Sequence, residues 1–358
     1  MKTIGIITFH TADNYGAVLQ NYALQSAIRL IGYNAVTIDY QCDEINDNYK
    51  RPAKETLLRR QIWRIINTGY WKQKKKLFAD FRKDKLVLSE KCSAENIDAF
   101  GECYEAYITG SDQVWNSNII SNNNYDAYGL GFVKKRYKFA YAASAGEGKI
   151  DDPALLKYIE DLDYITVREK KLHEYFNSIG INSKVVCDPV FLLPKENWVK
   201  FVGSKRKKNY VFLYYLDSGQ ALCRRIAKSV AKERNLAVCC SVYVDRNSIL
   251  YKYKAYKDGP IEFLSDIYYS DIIVASSFHA TAFALIFEKE FISVLHSETG
   301  DRVLDLLSYV GLTDRIIKSE EEFDRANWNP IDYSKVRNKI QIWREESIKE
   351  LKRMCEWG

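Results

Sequence analysis

Val274-Ala-Ser-Ser-Phe-His-Ala-Thr-Ala-Phe-Ala-Leu-Ile-Phe287 is the stretch that decides how the chain is read. It opens as an apolar strand, passes a small polar turn at Ser276 and Ser277, and becomes an apolar helix with His279 in its first turn. A strand that feeds directly into a helix is the repeating unit of a parallel α/β sheet. In open sheets of this kind ligands bind beyond the carboxyl ends of the strands, and the exposed N–H groups of a helix start favour anions. A histidine at that position is not needed for packing. His279 therefore reads as the centre of an anion-handling site.

The same alternation runs outward from this stretch in both directions. Strands are expected at 209–216, 236–244, 271–276, 291–295 and 315–317, with helices at 219–234, 260–269 and 303–310. Towards the N-terminus, a strand at 4–9, a polar loop, a helix over 14–31 stopped by Gly32, and a strand at 35–38 form a βαβ opening. Further strands are expected within 106–116, where a strand runs into a tight polar loop, and over 137–146 and 164–169, with helices at 152–162 and 172–179. The Asp188-Pro189 pair and Pro194 mark a crossing. The fold class is thus α/β, with two Rossmann-like domains facing across a cleft in the glycosyltransferase-B-like manner. The domains are 1–193 and 194–332, and a charged terminal helix over 333–358 packs back on the first.

At 358 residues the chain is too long for one ordinary core. Its 47% hydrophobic and 28% charged residues suit a globular protein, and no apolar run approaches the roughly 20 residues of a membrane-spanning helix. The opening apolar run reads as a first strand rather than a secretory signal, which places the protein in the cytoplasm. The eight cysteines show no CxxC and no metal spacing, as expected of free thiols in a reducing compartment. Net charge is +6, yet residues 51–85 alone carry +9, which leaves the rest at −3. A basic protein in bulk would suggest nucleic acid; outside its one basic segment this chain is slightly acidic, and nucleic acid is set aside. That segment interleaves Trp63, Tyr70, Trp71, Phe78 and Phe81 with its cations. Such a mixture suits the inner face of a membrane, and equally a solvated helix pair whose rings pack on the domain.

Other strand ends supply candidates. His10, Asp13, Asn14 and Gly16 converge after the first strand; Gly16 lets a backbone approach a ligand closely, or serves only in a helix start. A single glycine is not a GxGxxG, so no dinucleotide signature is present. Gly110, Ser111 and Asp112 end another strand, followed by Gln113, Trp115 and Asn116, a set suited to sugar hydroxyls and ring faces. Asp112 has the alternative of a plain helix cap. Arg168 is placed for an anion, or for a structural salt bridge to Glu169 or another carboxylate.

Taken together, Thr8–Leu24, Ile108–Asn116, Phe139–Gly146, Ile165–Glu169, Cys187–Val190, Ser276–Leu285 and Gly300–Arg302 resemble, in order, the motifs of the polysaccharide pyruvyl transferase family. The resemblance implies transfer of a pyruvyl group from phosphoenolpyruvate to two hydroxyls of a sugar, as a cyclic ketal, with release of phosphate. It also implies a saccharide acceptor of a cell-surface polymer, often lipid-linked, which would bring the 51–85 segment to the membrane. With that chemistry, His279 is the general acid/base, since histidine titrates near neutrality. Arg168, Arg302 and Ser277 hold the donor, because a guanidinium grips phosphate or carboxylate in a fork. Asp112 orients or deprotonates an acceptor hydroxyl, and His10 is a second acid/base. Asn14, Gly16, Gly110, Ser111, Gln113 and Trp115 face the acceptor. No metal and no cofactor is expected, phosphoenolpyruvate being a co-substrate. The position before the histidine, basic in many relatives, is Phe278 here. A nucleotide-sugar glycosyltransferase of the same architecture and a non-catalytic saccharide-binding protein are the competing expectations.

Overall fold

The computed structural model describes residues 2–42, 44–45, 57–204, 209–215, 220–240, 253–254, 259–295, 300–325 and 328–357; for 57–68, 70, 71, 220, 253 and 254 it describes the backbone. Expected residues 241–244 of one strand, His296 in the loop before Arg302, and the side chains of Trp63, Tyr70 and Trp71 lie outside the description.

The first half alternates as β1 (Thr3–Ile7), α1 (Tyr15–Leu30), β2 (Asn34–Tyr40), α2 (Leu57–Lys85), β3 (Leu88–Cys92), β4 (Ala106–Thr109), α3 (Tyr125–Tyr128), β5 (Tyr137–Ala143), α4 (Pro153–Glu160), β6 (Tyr164–Val167), α5 (Lys170–Ser178) and β7 (Lys184–Val185). Its strands form one parallel sheet in the order β3-β2-β1-β4-β5-β6-β7. The second half continues with α6 (Lys195–Val199), β8 (Tyr210–Tyr214), α7 (Gln220–Glu233), β9 (Ala237–Cys240), β10 (Tyr253–Lys254), α8 (Pro260–Tyr269), β11 (Ile272–Ala275), α9 (Phe278–Ile286), β12 (Glu290–Val294), α10 (Gly300–Val310), β13 (Ile316–Ile317), α11 (Glu320–Arg325) and α12 (Tyr333–Glu356). A second parallel sheet runs β10-β9-β8-β11-β12-β13.

Both orders start in the middle, move out one side, then return to start again on the other. The reversal falls between β1 and β4 in the first sheet and between β8 and β11 in the second. Sheets covered by helices on both faces need continuous apolar strands. Every residue of β11 and of β4 is buried, and β1 is buried from Ile4 onward.

The chain divides into two compact units, one of residues 1–51, 79–193 and 341–358, the other of 52–78 and 194–340. The basic segment is therefore not wholly part of the first unit, as its sequence position suggested. Leu77 packs against Gly259 at the start of α8, where a Cβ on the glycine would meet it at 2.7 Å. Beyond it Arg82 turns to the β1–α1 loop, donating to Asp13 Oδ1 at 2.9 Å and to the carbonyls of Thr11 and Ala12. Phe78 and Phe81 are buried, so these two rings are not presented to a lipid surface.

The later turns of α12 cover the β6–β7 edge of the first sheet. Glu350 accepts from Tyr164 at 2.5 Å and from Lys184 at 2.7 Å, and Ser347 accepts from the Cys187 amide at 2.9 Å. Covering an edge strand blocks pairing with another chain. In this helix Ile342 is 45% exposed, whereas Ser347, five residues on, is buried. Among the described residues no helix is long and apolar enough to cross a membrane.

Candidate active site

In the second unit the site grows from the ends of two adjacent strands. β11 runs into Ser276 and Ser277, and α9 begins at Phe278. Ser277 occupies the N-cap position in extended conformation, but its side chain makes no capping bond; its carbonyl accepts from the Thr281 amide and hydroxyl. Thr281 Oγ1 also meets Ser293 Oγ of β12 at 2.8 Å, which ties α9 to the neighbouring strand. His279 lies one residue into the helix and is 8% exposed. Its ring stands edge-on to that of Phe278, centroids 5.2 Å apart at 86°. The next strand, β12, leads to α10, whose first turn carries Arg302, also 8% exposed. A histidine and an arginine thus sit in the first turns of helices that follow paired strands, where the helix dipoles add positive potential. This edge suits an anion.

The first unit is built differently. At the end of β4 the chain turns sharply: Gly110 has φ +105° and Asp112 φ +76°, with Ala142 of β5 at φ +48°. A Cβ on Gly110 would stand 2.5 Å from the Tyr141 carbonyl, so glycine is required there by close approach. Non-glycine residues at positive φ cost on the order of 1–3 kcal/mol each and cluster at functional sites. The turn is pinned from below. Thr8 donates to the Ser111 carbonyl at 2.8 Å, Gln20 of α1 donates to Thr8 at 2.9 Å, and Ser111 Oγ donates to the Ala142 carbonyl at 2.9 Å. Asp112 then faces Arg168.

Arg168 is the hub of a buried ionic net. Its guanidinium lies 2.8 Å from Asp188 Oδ2, 3.5 Å from Glu169 Oε1 and 3.9 Å from Asp112 Oδ1, and Ser144 donates to Glu169. Burial pulls the guanidinium pKa down, but Glu169, Asp188 and Asp112 together outweigh it and hold it above the ordinary arginine value. A cation enclosed by three carboxylates has its charge already answered. Arg168 clamps the ends of β4 and β6 together; it does not have the capacity of a donor-phosphate ligand assigned from sequence, and the salt-bridge alternative describes it.

Other first-unit candidates need the same correction. His10 is 1% exposed with Nε2 2.9 Å from Asp39 and Nδ1 3.2 Å from the Thr8 carbonyl, so both ring nitrogens are committed and it braces the loop instead of acting as a second acid/base. Burial pushes the Asp39 carboxyl up, yet the hydrogen bond and charge of His10, with Lys91 and Gln41, bring it below the usual carboxylate value. Trp115 is 1% exposed, edge-packed on Phe176, with its N–H on the Tyr128 carbonyl; it offers no face to a sugar. Ser111 is fully buried and serves the turn. Asn14 caps α1 by accepting from the Ala17 amide at 3.2 Å, and Gly16 is buried in that helix's first turn. Gln113 remains half-buried at the rim and accepts from Asn116 at 2.7 Å. Asp112 and Gln113 are the first-unit candidates left at a binding edge. Among the described residues no group of three or more His, Cys, Asp or Glu could hold a metal ion.

The polysaccharide pyruvyl transferase family model matches residues 14–298. The chain belongs to that family. No curated protein gives a significant sequence match. Among solved structures, the UDP-GlcNAc 2-epimerase of Methanocaldococcus jannaschii is 11% identical with TM-score 0.54, covering 100% of both chains. That of Neisseria meningitidis, bound to UDP-GlcNAc, is 11% identical with TM-score 0.51, over 98% of this chain and 100% of that one. At such identity the likeness is one of fold: two Rossmann-like units, the glycosyltransferase-B-like class.

In this member of the pyruvyl transferase family the matched region spans both switch points, and of the quoted motifs Thr8–Leu24, Ile108–Asn116 and Ser276–Leu285 follow strands that flank them. Four functional or supporting residues escaped the sequence reading. Asp188 was seen as a crossing before Pro189 and as part of the Cys187–Val190 motif, without a role as the partner of Arg168. Thr8 and Gln20 lay inside the opening motif without a role, and Arg82 was counted only as one charge of the basic segment.

Proposed function

We propose that this protein is a ketal pyruvyltransferase that takes the pyruvyl group of phosphoenolpyruvate to two hydroxyls of one sugar in a cell-surface polysaccharide precursor. The observation that carries it is the pairing of His279 and Arg302 in the first turns of helices after adjacent strands, with His279 inside the region that the family model matches and Arg302 four residues beyond it. Phosphoenolpyruvate brings a phosphate and a carboxylate on a small frame, and needs fixed cations, helix-start amides and an acid/base within reach.

The donor lies on the second unit with Arg302 in a fork on one anionic group, and the α9 amides beyond Ser277 on the other. His279 delivers a proton to the donor methylene, and C2 becomes electrophilic. A sugar hydroxyl adds at C2 and loses its proton; the C2–O bond to phosphate breaks with the electrons leaving on phosphate; the second hydroxyl closes the ring. Phe278 packs edge-on to the imidazole and limits how the ring turns, so its contribution is orientation and exclusion of water rather than charge. Asp112, fixed by the positive-φ turn and Arg168, is the first-unit group suited to orient an acceptor hydroxyl. A lipid-linked acceptor would find the exposed lysines of α2, such as Lys72, Lys75 and Lys76, suited to its phosphates.

Purified protein incubated with phosphoenolpyruvate and saccharide acceptors should release phosphate only when a sugar is present, with a new ketal methyl in the NMR spectrum of the product. Release of the nucleoside diphosphate from nucleotide sugars, with no phosphate released from phosphoenolpyruvate, would replace this function with glycosyl transfer.

A further inference from the structure

Phosphoenolpyruvate brings two anionic groups, and Arg302 answers one of them. The start of α9 meets the other with backbone amides and no formal charge: Ser276 and Ser277 are neutral and Phe278 is apolar. An anion taken out of water is costly to hold unless a cation lies beside it. The neighbouring strand leads to one. β8 pairs with β11 across the switch point of the second sheet, and the Ser276 amide donates to the Tyr214 carbonyl at 3.1 Å. Tyr215, the residue after β8, is 2% exposed, so its ring is a fixed surface beside this turn. The chain then returns along the sheet as α7, where Cys223 is fully buried with its thiol in hydrogen-bonding reach of the Ser276 side chain. Arg224 follows it, and its guanidinium carbon lies over the Tyr215 ring, 5.8 Å from the centroid.

Side chains on a helix lean toward its N-terminus, and the N-terminus of α7 lies at the carboxyl edge of the sheet because the helix follows β8. The arm of Arg224 therefore runs back to the edge that carries His279 and Arg302. Tyr215 and Arg224 each adjoin a residue in contact with Ser276, three positions before His279. Arg225 goes the other way: it is exposed and pairs with Glu320 and Asp324 of α11. We propose that Arg224, steadied on the ring of Tyr215, is the second guanidinium of the donor site and takes the anionic group that meets the α9 amides. The proposal rests on phosphoenolpyruvate being the donor. A guanidinium stacked on a ring presents its N–H groups along the edge of its plane, the geometry that grips a phosphate or carboxylate in a fork. Arg224 is the ligand, and Tyr215 positions it. His279 keeps the proton transfer.

The experiment measures phosphoenolpyruvate binding by calorimetry, and phosphate release with saccharide acceptors, on the whole protein and its variants, with melting temperature showing that each variant folds. Arg224→Met should raise Kd for phosphoenolpyruvate by about 10–100-fold, the loss expected of one charge-assisted contact. Arg224→Lys, which keeps the charge without the fork, should lose less, and Arg225→Met should bind like wild type. Tyr215→Leu should weaken binding as well, and Tyr215→Phe should restore it, because the ring is what holds the guanidinium. An Arg224→Met protein that binds phosphoenolpyruvate within about threefold of wild type overturns the assignment and leaves the pyruvyltransferase function standing. A loss in Arg225→Met equal to that in Arg224→Met also overturns it, since the effect would then be one of general charge. Wild-type protein that neither binds phosphoenolpyruvate nor releases phosphate from it overturns the pyruvyltransferase function, and this assignment with it.

Discussion

Replacing Arg168 with Met separates a structural clamp from a substrate ligand. The side chain is 2% exposed and stands 2.8, 3.5 and 3.9 Å from carboxylates of Asp188, Glu169 and Asp112. Methionine of similar length leaves three buried carboxylates facing one another without a cation, and removing one partner of a buried ion pair costs about 3–5 kcal/mol. For a unit of this size each kcal/mol shifts the melting temperature by about 2–4 °C, so the loss is roughly 6–20 °C. Arg168→Lys keeps the charge but not the fork, and should fall between. Adding Asp188→Asn to the Met variant removes one of the stranded charges and should recover part of the loss, with a coupling of about 0.5–3 kcal/mol. Urea unfolding followed by circular dichroism gives these differences as shifts in midpoint at constant slope. A Met variant within about 1 kcal/mol of wild type that has lost affinity for phosphoenolpyruvate would show that Arg168 is an anion ligand after all.

Two further outcomes follow from burial and charge. Burial pushes the thiols of Cys187, Cys223 and Cys355 up to about 12, and Cys103 is exposed while the other seven cysteines are buried; at pH 8 one thiol per native chain should react at once with a disulfide reagent and eight after denaturation, and several fast native thiols would contradict this packing. The Asp39 carboxyl lies below its ordinary value in the folded chain, so its contact with His10 stabilises fully above the unfolded value near pH 4 and is lost as pH falls through the folded one; Asp39→Asn should therefore lower the melting temperature at pH 6 and approach wild type in acid, and a deficit that stays constant down to pH 2 would place the effect elsewhere.

The fold was legible because its signals are local and repeated. Apolar strands, helix stops such as Gly32, and the strand-to-helix passage at Ser276–His279 all lie within a few neighbours in sequence. The positions of His279 and Asp112 at strand ends were legible for the same reason, whereas Arg302, read as the last residue of a loop, lies in the first turn of α10. What Arg168, His10 and Trp115 do was not, because that depends on partners far along the chain: Asp188 for the arginine, Asp39 for the histidine, Phe176 and the Tyr128 carbonyl for the indole. A polar residue at a strand end can face a ligand or brace the loop that does, and its neighbours in sequence are the same in both cases. The division of the basic segment between units depended likewise on a contact, Leu77 on Gly259, that no local pattern encodes.

His279 carries the central claim. Its replacement by alanine, in a protein whose melting temperature stays near that of wild type, should lower kcat for ketal formation from phosphoenolpyruvate by about 10²–10⁴-fold, the loss expected of a general acid/base. A His279→Ala enzyme that forms the ketal within about threefold of the wild-type rate, well short of that loss, would remove His279 from the chemistry and the proposed mechanism with it.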